Sequence, residues 1–231
     1  MKKIICIVLS LVTISLIPSC FEDDDKPIGN IYSEPEDGQQ YVDLGLTSGT
    51  LWATTNIGAS KPEDFGTYYA WGETEEKTNF GWSNYKYMPS GESTWKYINK
   101  YNGTDGLNKL QSADDVATAK WGSDWVIPTT EQWAELKKEC NWKWTTSYNF
   151  SHIQGFIVSN KSNSDVHIFL PAAGYCTDTR LRYTSEYGSY WTLNKAGRLY
   201  DAQCFIFSSK AQTKSTNLRF LGYTIRAVKS K

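Results

Sequence analysis

Histidine is almost absent from this chain: His152 and His167 are the only two among 231 residues. Neither has a cysteine or carboxylate at metal-ligand spacing, so the sequence offers no zinc site. His167 sits in an apolar run and reads as a hydrogen-bonded sheet residue rather than a catalytic base. There is no Gly-x-Ser-x-Gly elbow and no phosphate-cradling glycine loop, which removes the familiar hydrolase and nucleotide-binding signatures. A basic excess is missing too, with 24 Lys and Arg against 25 Asp and Glu. Nucleic acid is therefore not an expected partner. Cysteine is sparse: setting aside Cys6 and Cys20 near the start, only Cys140, Cys176 and Cys204 remain. Three thiols permit one disulfide at most, and all three pairings, or three free buried thiols, fit the sequence equally.

Long apolar runs are lacking, with one exception. Ile4 to Ile17, preceded by Lys2 and Lys3, has the parts of a secretory signal peptide. It carries Ser10, Thr13 and Ser15 and falls short of the roughly 20 apolar residues that span a bilayer. Residues 1–19 are thus expected to be a signal peptide that ends before Cys20. Ser19-Cys20 resembles a bacterial lipoprotein processing site, with Cys20 as the acylated first residue. The acidic run Glu22-Asp23-Asp24-Asp25 after it is similar to the surface-export signal of Bacteroides-type lipoproteins. That resemblance implies an outer-membrane protein, lipid-anchored through Cys20 and exposed at the cell surface. Several acyl chains on one residue would hold it firmly. The aspartates themselves read as solvated tether charge rather than a calcium site.

Residues 20–40, rich in Asp, Glu, Pro and Gly, are expected to form a flexible acidic tether. A single domain then runs over 41–231. Tyr41–Leu44 and Leu51–Thr54 predict strands about a Ser48-Gly49 turn, and Tyr68–Trp71 a third. Residues 80–110 show no steady period and many turn signals. Helices are predicted from about Ser112 to Lys120, with Ser112 as cap, and after Pro128, where Thr129 and Gln132 have capping-box spacing and Trp133, Leu136 and Cys140 make the apolar stripe. Alternating patterns over 155–159, 166–170, 189–193, 200–207 and 219–228 predict strands, with Tyr200, Ala202, Cys204 and Ile206 on one face. Strands, two helices, then strands give an α+β class.

The stretch Asp114-Asp115-Val116-Ala117 through Trp121-Gly122-Ser123-Asp124-Trp125-Val126-Ile127-Pro128-Thr129 resembles the Fibrobacter succinogenes major paralogous domain family. Val42-Asp43-Leu44-Gly45-Leu46, Leu51-Trp52-Ala53, Tyr69-Ala70-Trp71-Gly72-Glu73-Thr74, Cys140-Asn141-Trp142-Lys143-Trp144-Thr145, Leu170-Pro171-Ala172-Ala173-Gly174-Tyr175 and Tyr190-Trp191 are similar to it as well. The resemblance implies a C-type-lectin-like domain, with two helices and short antiparallel sheets, related to the formylglycine-generating-enzyme fold. Those folds share the helix start seen here as Pro128-Thr129-Thr130-Glu131-Gln132-Trp133. Thr47, Thr55 and Ala227 depart from the family pattern, and if Thr55 replaces a cysteine that normally pairs, Cys140 is left single. The family has no established biochemical activity, so the resemblance implies a fold and a setting.

Aromatic residues are abundant, at 15% with ten Trp and fifteen Tyr. Phe80, Trp82, Tyr85, Tyr87, Trp95, Tyr97 and Tyr101 are interleaved with Lys86, Lys96 and Lys100 in the irregular insertion. Long loops on a rigid scaffold carry binding, and ring faces take sugars or peptide anchors. The expectation is a non-catalytic module that binds a glycan or a surface protein, with Trp71, Glu73, Trp82, Tyr85, Trp95, Tyr97, Tyr175 and Trp191 as candidate ligand contacts. No catalytic residue, metal or cofactor is expected. The alternatives are a structural part of a surface assembly, or an oxidative or hydrolytic enzyme with a cleft formed by Glu73, Tyr175 and Trp191.

Overall fold

The computed structural model describes residues 31–33 and 38–230; the expected signal peptide, Cys20 and most of the expected tether lie outside the described residues. Strands β1 (Ile31–Ser33), β2 (Gln40–Val42) and β3 (Leu51–Ala53) pair antiparallel in order. The tether expected over 20–40 therefore contains a paired strand at Ile31–Ser33. Gly49, at φ 74°, closes the expected turn by donating its N–H to Leu46. The third predicted strand is reduced to a single bridge between Tyr69 and Tyr223.

Helix α1 (Val116–Trp121) begins four residues later than the sequence suggested. Ser112–Asp114 form a 3-10 turn, and Asp115 is the cap, accepting from the N–H groups of Ala117 and Thr118. Its other oxygen accepts from Ile127, so this carboxylate also fixes the chain that leads into the next helix. Helix α2 (Thr130–Glu139) has the predicted capping box between Thr129 and Gln132. Its stripe is buried as expected: Trp133 lies flat on Phe205 at 4.5 Å and meets Trp52 edge-on at 4.8 Å.

The second half is sheet. Strands β4 (Cys140–Thr145), β5 (Gly155–Asn160) and β6 (His167–Pro171) form a meander. A hairpin of β7 (Tyr175–Thr177) and β8 (Arg180–Arg182) follows. Strands β9 (Tyr187–Lys195), β10 (Asp201–Ser208) and β11 (Ala211–Leu218) form a second meander with β10 at its centre. The chain closes with β12 (Val228–Lys229) paired to β3. The class is α+β, built of small antiparallel sheets with two helices. The strand predicted over 219–228 is reduced to single bridges at Gly222, Tyr223 and Thr224 and to Val228 in β12, and the segment places Arg219 and Arg226 in the interior.

Two apolar clusters flank the β9–β10 pair. Trp191, Ala202 and Cys204 face the first, with Ile206 and Tyr200 packed on its margin. Tyr190, Phe205 and Phe207 face the second, with Trp52, Trp133 and Leu136. Side chains alternate across a strand, so a strand buried on both faces reads as nearly continuous apolar sequence. Arg226 crosses between the chain ends. It donates to the carbonyls of Ala53, Thr54 and Phe169 and to Asn56 Oδ1, at 2.7–3.1 Å. Burial without a carboxylate partner pushes its guanidinium down to about 10.

Candidate functional site

Most of the aromatic insertion is core. Phe80, Tyr85, Tyr87 and Tyr101 are buried, and the phenols of Tyr85 and Tyr87 donate to the carbonyls of Trp71 and Gly72 at 2.8 Å. Trp71 and Trp191 are buried too, and their indole N–H groups donate to Thr192 at 2.9 Å and Tyr69 at 2.8 Å. These rings have no free face for a ligand, which corrects the expectation for Trp71, Tyr85 and Trp191. Trp82 is partly buried, with its edge against Phe220 at 4.9 Å. Only Trp95 and Tyr97 of the seven insertion aromatics are exposed, at 37% and 52%, and Trp95 leans on Tyr200 at 5.0 Å. A sequence window cannot distinguish rings that project from rings that fold back, since both carry the same composition.

Glu73 is buried and structural. It takes Lys77 Nζ at 2.7–2.9 Å and the backbone N–H of Lys86 at 2.7 Å, tying the insertion to its base. It and Tyr175 line separate clefts. With Trp191 buried in the core, the cleft expected for an enzyme does not form. His167 is the expected sheet residue, its Nε2 3.3 Å from the Tyr148 hydroxyl. Cys140, Cys176 and Cys204 are free thiols. Burial pushes Cys140 up to about 12 and Cys176 up to about 11, and raises Cys204 further, the opposite of the lowered thiol that reactive chemistry requires. Among the described residues, no group of three His, Cys, Asp or Glu is placed to hold a metal ion, and no helix is long and apolar enough to cross a membrane.

One predicted contact, Tyr175, does stand in an open cleft, of about 310 Å³. Tyr183 lies roughly parallel to Tyr175 with centroids 5.8 Å apart, and Tyr187 meets Tyr183 edge-on at 5.8 Å. Tyr183 and Tyr187 are 51% and 43% exposed. The floor is Tyr223, buried and stacked on Trp191 at 4.2 Å. Asn217 donates its amide to the Tyr223 hydroxyl at 2.6 Å, and Ser189 and Ile206 complete the lining. Burial raises the Tyr223 phenol well above its ordinary value, so it stays a neutral hydrogen-bonding group. The lining has no carboxylate and no cation.

The loop that carries Tyr183 and Tyr187 is built under constraint. Tyr183 and Ser185 have φ of 56° and 66°, a region that costs a non-glycine residue about 1–2 kcal/mol. It is fastened by Ser185 N–H to Ala172 at 2.8 Å, Tyr187 N–H to Tyr183 at 3.1 Å and Gly174 N–H to Tyr187 at 2.7 Å. Gly174, at φ 64°, has no room for a side chain: a Cβ would stand 2.0 Å from the Arg182 carbonyl. Tyr183 and Tyr187 carry no periodic signal in the sequence, because Tyr183 stands in the loop after β8 and Tyr187 opens β9. The available signal was the tyrosine spacing itself, in Tyr175, Tyr183 and Tyr187 after Gly174.

Comparison with protein-family models, with curated proteins and with solved structures finds no match.

Proposed function

We propose that this chain is a non-catalytic recognition module that seats a glycan in the tyrosine cleft. The observation that carries the reading is the arrangement of Tyr175, Tyr183 and Tyr187 above Tyr223, with Asn217 and Ser189 among the rings. Ring faces cover the apolar C–H face of a sugar, and amide and hydroxyl groups bond its hydroxyls, the usual make-up of a small-ligand site. The rings stand on packed strands and a fastened loop, so little is lost in ordering them when ligand arrives. We also read the domain as C-type-lectin-like and as a relative of the Fibrobacter succinogenes major paralogous domain family. In support, Trp52, Trp71, Trp125, Trp133 and Trp191, which lie in segments that carry the resemblance, are all fully buried core. The leader and Cys20 place it, in this reading, on the outer face of an outer membrane, held by lipid. Mass spectra of membrane-extracted protein with unmodified Cys20 would remove that anchor.

The test is a glycan array probed with the mature chain and with Tyr183→Ala/Tyr187→Ala. The expected outcome is a wild-type signal that the double variant reduces at least about tenfold, as removal of aromatic anchors does, with an unchanged melting temperature. A signal indifferent to both tyrosines would end the reading. A role in a surface assembly has one observation in its favour: β11 is an eight-residue edge strand, and such an edge can pair with another chain.

A further inference from the structure

We infer that the tyrosine cleft selects an acidic saccharide, one bearing carboxylate or sulfate, through Arg180 and Arg182; the inference rests on the glycan-binding reading above. In the β7–β8 hairpin Tyr175 is paired with Arg182 and Thr177 with Arg180. Directly opposed residues share a face, with Cβ atoms about 5 Å apart, and successive residues alternate. Tyr175, Thr177, Arg180 and Arg182 therefore stand on one face of the hairpin. Cys176 and Leu181 stand on the other, where they line a different cleft with Tyr68 and Phe80. Tyr175 lines the tyrosine cleft, so the two faces of the hairpin border different clefts.

Arg180 and Arg182 are exposed. Among the described residues the ion pairs are Lys77–Glu73, Lys86–Asp114, Lys100–Asp114 and Arg198–Asp201, so neither hairpin arginine is neutralised by a carboxylate. The acids nearest in sequence are Asp178 and Glu186. Asp178 exchanges backbone hydrogen bonds with Phe80 at the hairpin turn, and Glu186 is exposed in the turn before Tyr187. The cleft between them adds no negative charge of its own. Two arginines without a carboxylate partner, their Cα atoms about 7 Å apart along one strand, thus stand on the hairpin face that carries Tyr175, beside a ring-lined cleft whose lining is neutral.

The division of labour follows from the chemistry. Stacked tyrosines take the C–H face of a sugar ring but do not discriminate charge. A guanidinium is a planar fork that meets a carboxylate or sulfate with two parallel hydrogen bonds, about twice as strong as neutral ones. A neutral sugar would use the rings and leave the arginines in water. An acidic sugar uses both.

The experiment compares uronate oligomers, sulfated glycosaminoglycan fragments and sialylated oligosaccharides with their methyl-esterified, desulfated and asialo counterparts on one array. The mature chain, Arg180→Gln/Arg182→Gln and Tyr183→Ala/Tyr187→Ala are each probed, and hits are titrated at low and raised salt. The expected result is at least about tenfold tighter binding of an acidic member than of its neutral counterpart, a preference abolished by the arginine variant and weakened by salt. Equal binding of both members, a preference for the neutral one, or tighter binding of a single-stranded oligonucleotide overturns the inference. Binding that needs the tyrosines and ignores the arginines sinks the acidic selectivity alone. No binding to any member, or binding that survives loss of the tyrosines, sinks the cleft reading with it.

Discussion

Gly174 decides whether the tyrosine cleft exists. The loop after β8 passes so close that any side chain at 174 meets the Arg182 carbonyl and the Thr184 N–H, and the backbone there is left-handed besides. Gly174→Ala is expected to lower stability by more than about 2 kcal/mol in a denaturant titration and to weaken ligand binding with it. Gly197→Ala, in open space, should change neither. At this scale the sequence was partly legible. Gly174-Tyr175 stands out because it lies in one of the segments that carry the family resemblance. Tyr183 does not, since its exposure comes from a left-handed backbone at a non-glycine residue, which no composition rule anticipates. Trp71 and Trp191 show the reverse failure: their indole N–H groups are satisfied by distant carbonyls that cannot be seen from neighbouring residues.

Elements with strong local chemistry are legible in the sequence. In α2 the cap, the box and the stripe all agree, and Thr129→Ala is expected to cost about 1 kcal/mol, visible as a lower melting temperature with the cleft unaffected. A variant as stable as the parent would mean that Gln132 and the packing of Trp133 alone define the start. In α1 two adjacent aspartates could each serve near the first turn, and the choice fell to tertiary contacts. Asp115 caps because it can also bond Ile127, whereas Asp114 is drawn inward by Lys86, Lys100 and Tyr101. Strand β11 has no apolar alternation in its sequence, because Gln212 to Asn217 is polar throughout, as an edge strand with a wet face is free to be. The strand predicted over 219–228 survives only as bridges at 222–224 and at Val228, because its apolar residues fill core around Arg219 and Arg226 rather than pair along their length.

For the molecule as a whole, the insertion is held by two buried carboxylates, Glu73 and Asp114, and the second carries a pH dependence. Burial opposes ionisation of Asp114, but hydrogen bonds from Lys100, Tyr101 and Lys86 outweigh it and hold the carboxyl well below the ordinary carboxylate range. A lowered acid contributes stability above its unfolded value, near 3.8, which is lost as pH falls through the folded one. Asp115 has the opposite sign: burial pushes it up to about 6 despite its backbone donors, so its contribution falls as pH rises from 3.8 towards 6. Asp114→Asn separates the two. Its unfolding free energy, measured against pH by denaturant titration, should fall less steeply below pH 4 than that of the parent. A parallel fall in both would place the acid sensitivity elsewhere. The stacking of Tyr223 on Trp191 reaches further than the core it completes. The ring on which a ligand would settle is in van der Waals contact with a buried indole, and indole emission follows the polarity of its surroundings. A ligand seated in the cleft is therefore expected to shift the emission of Trp191, one of ten tryptophans, without any added dye.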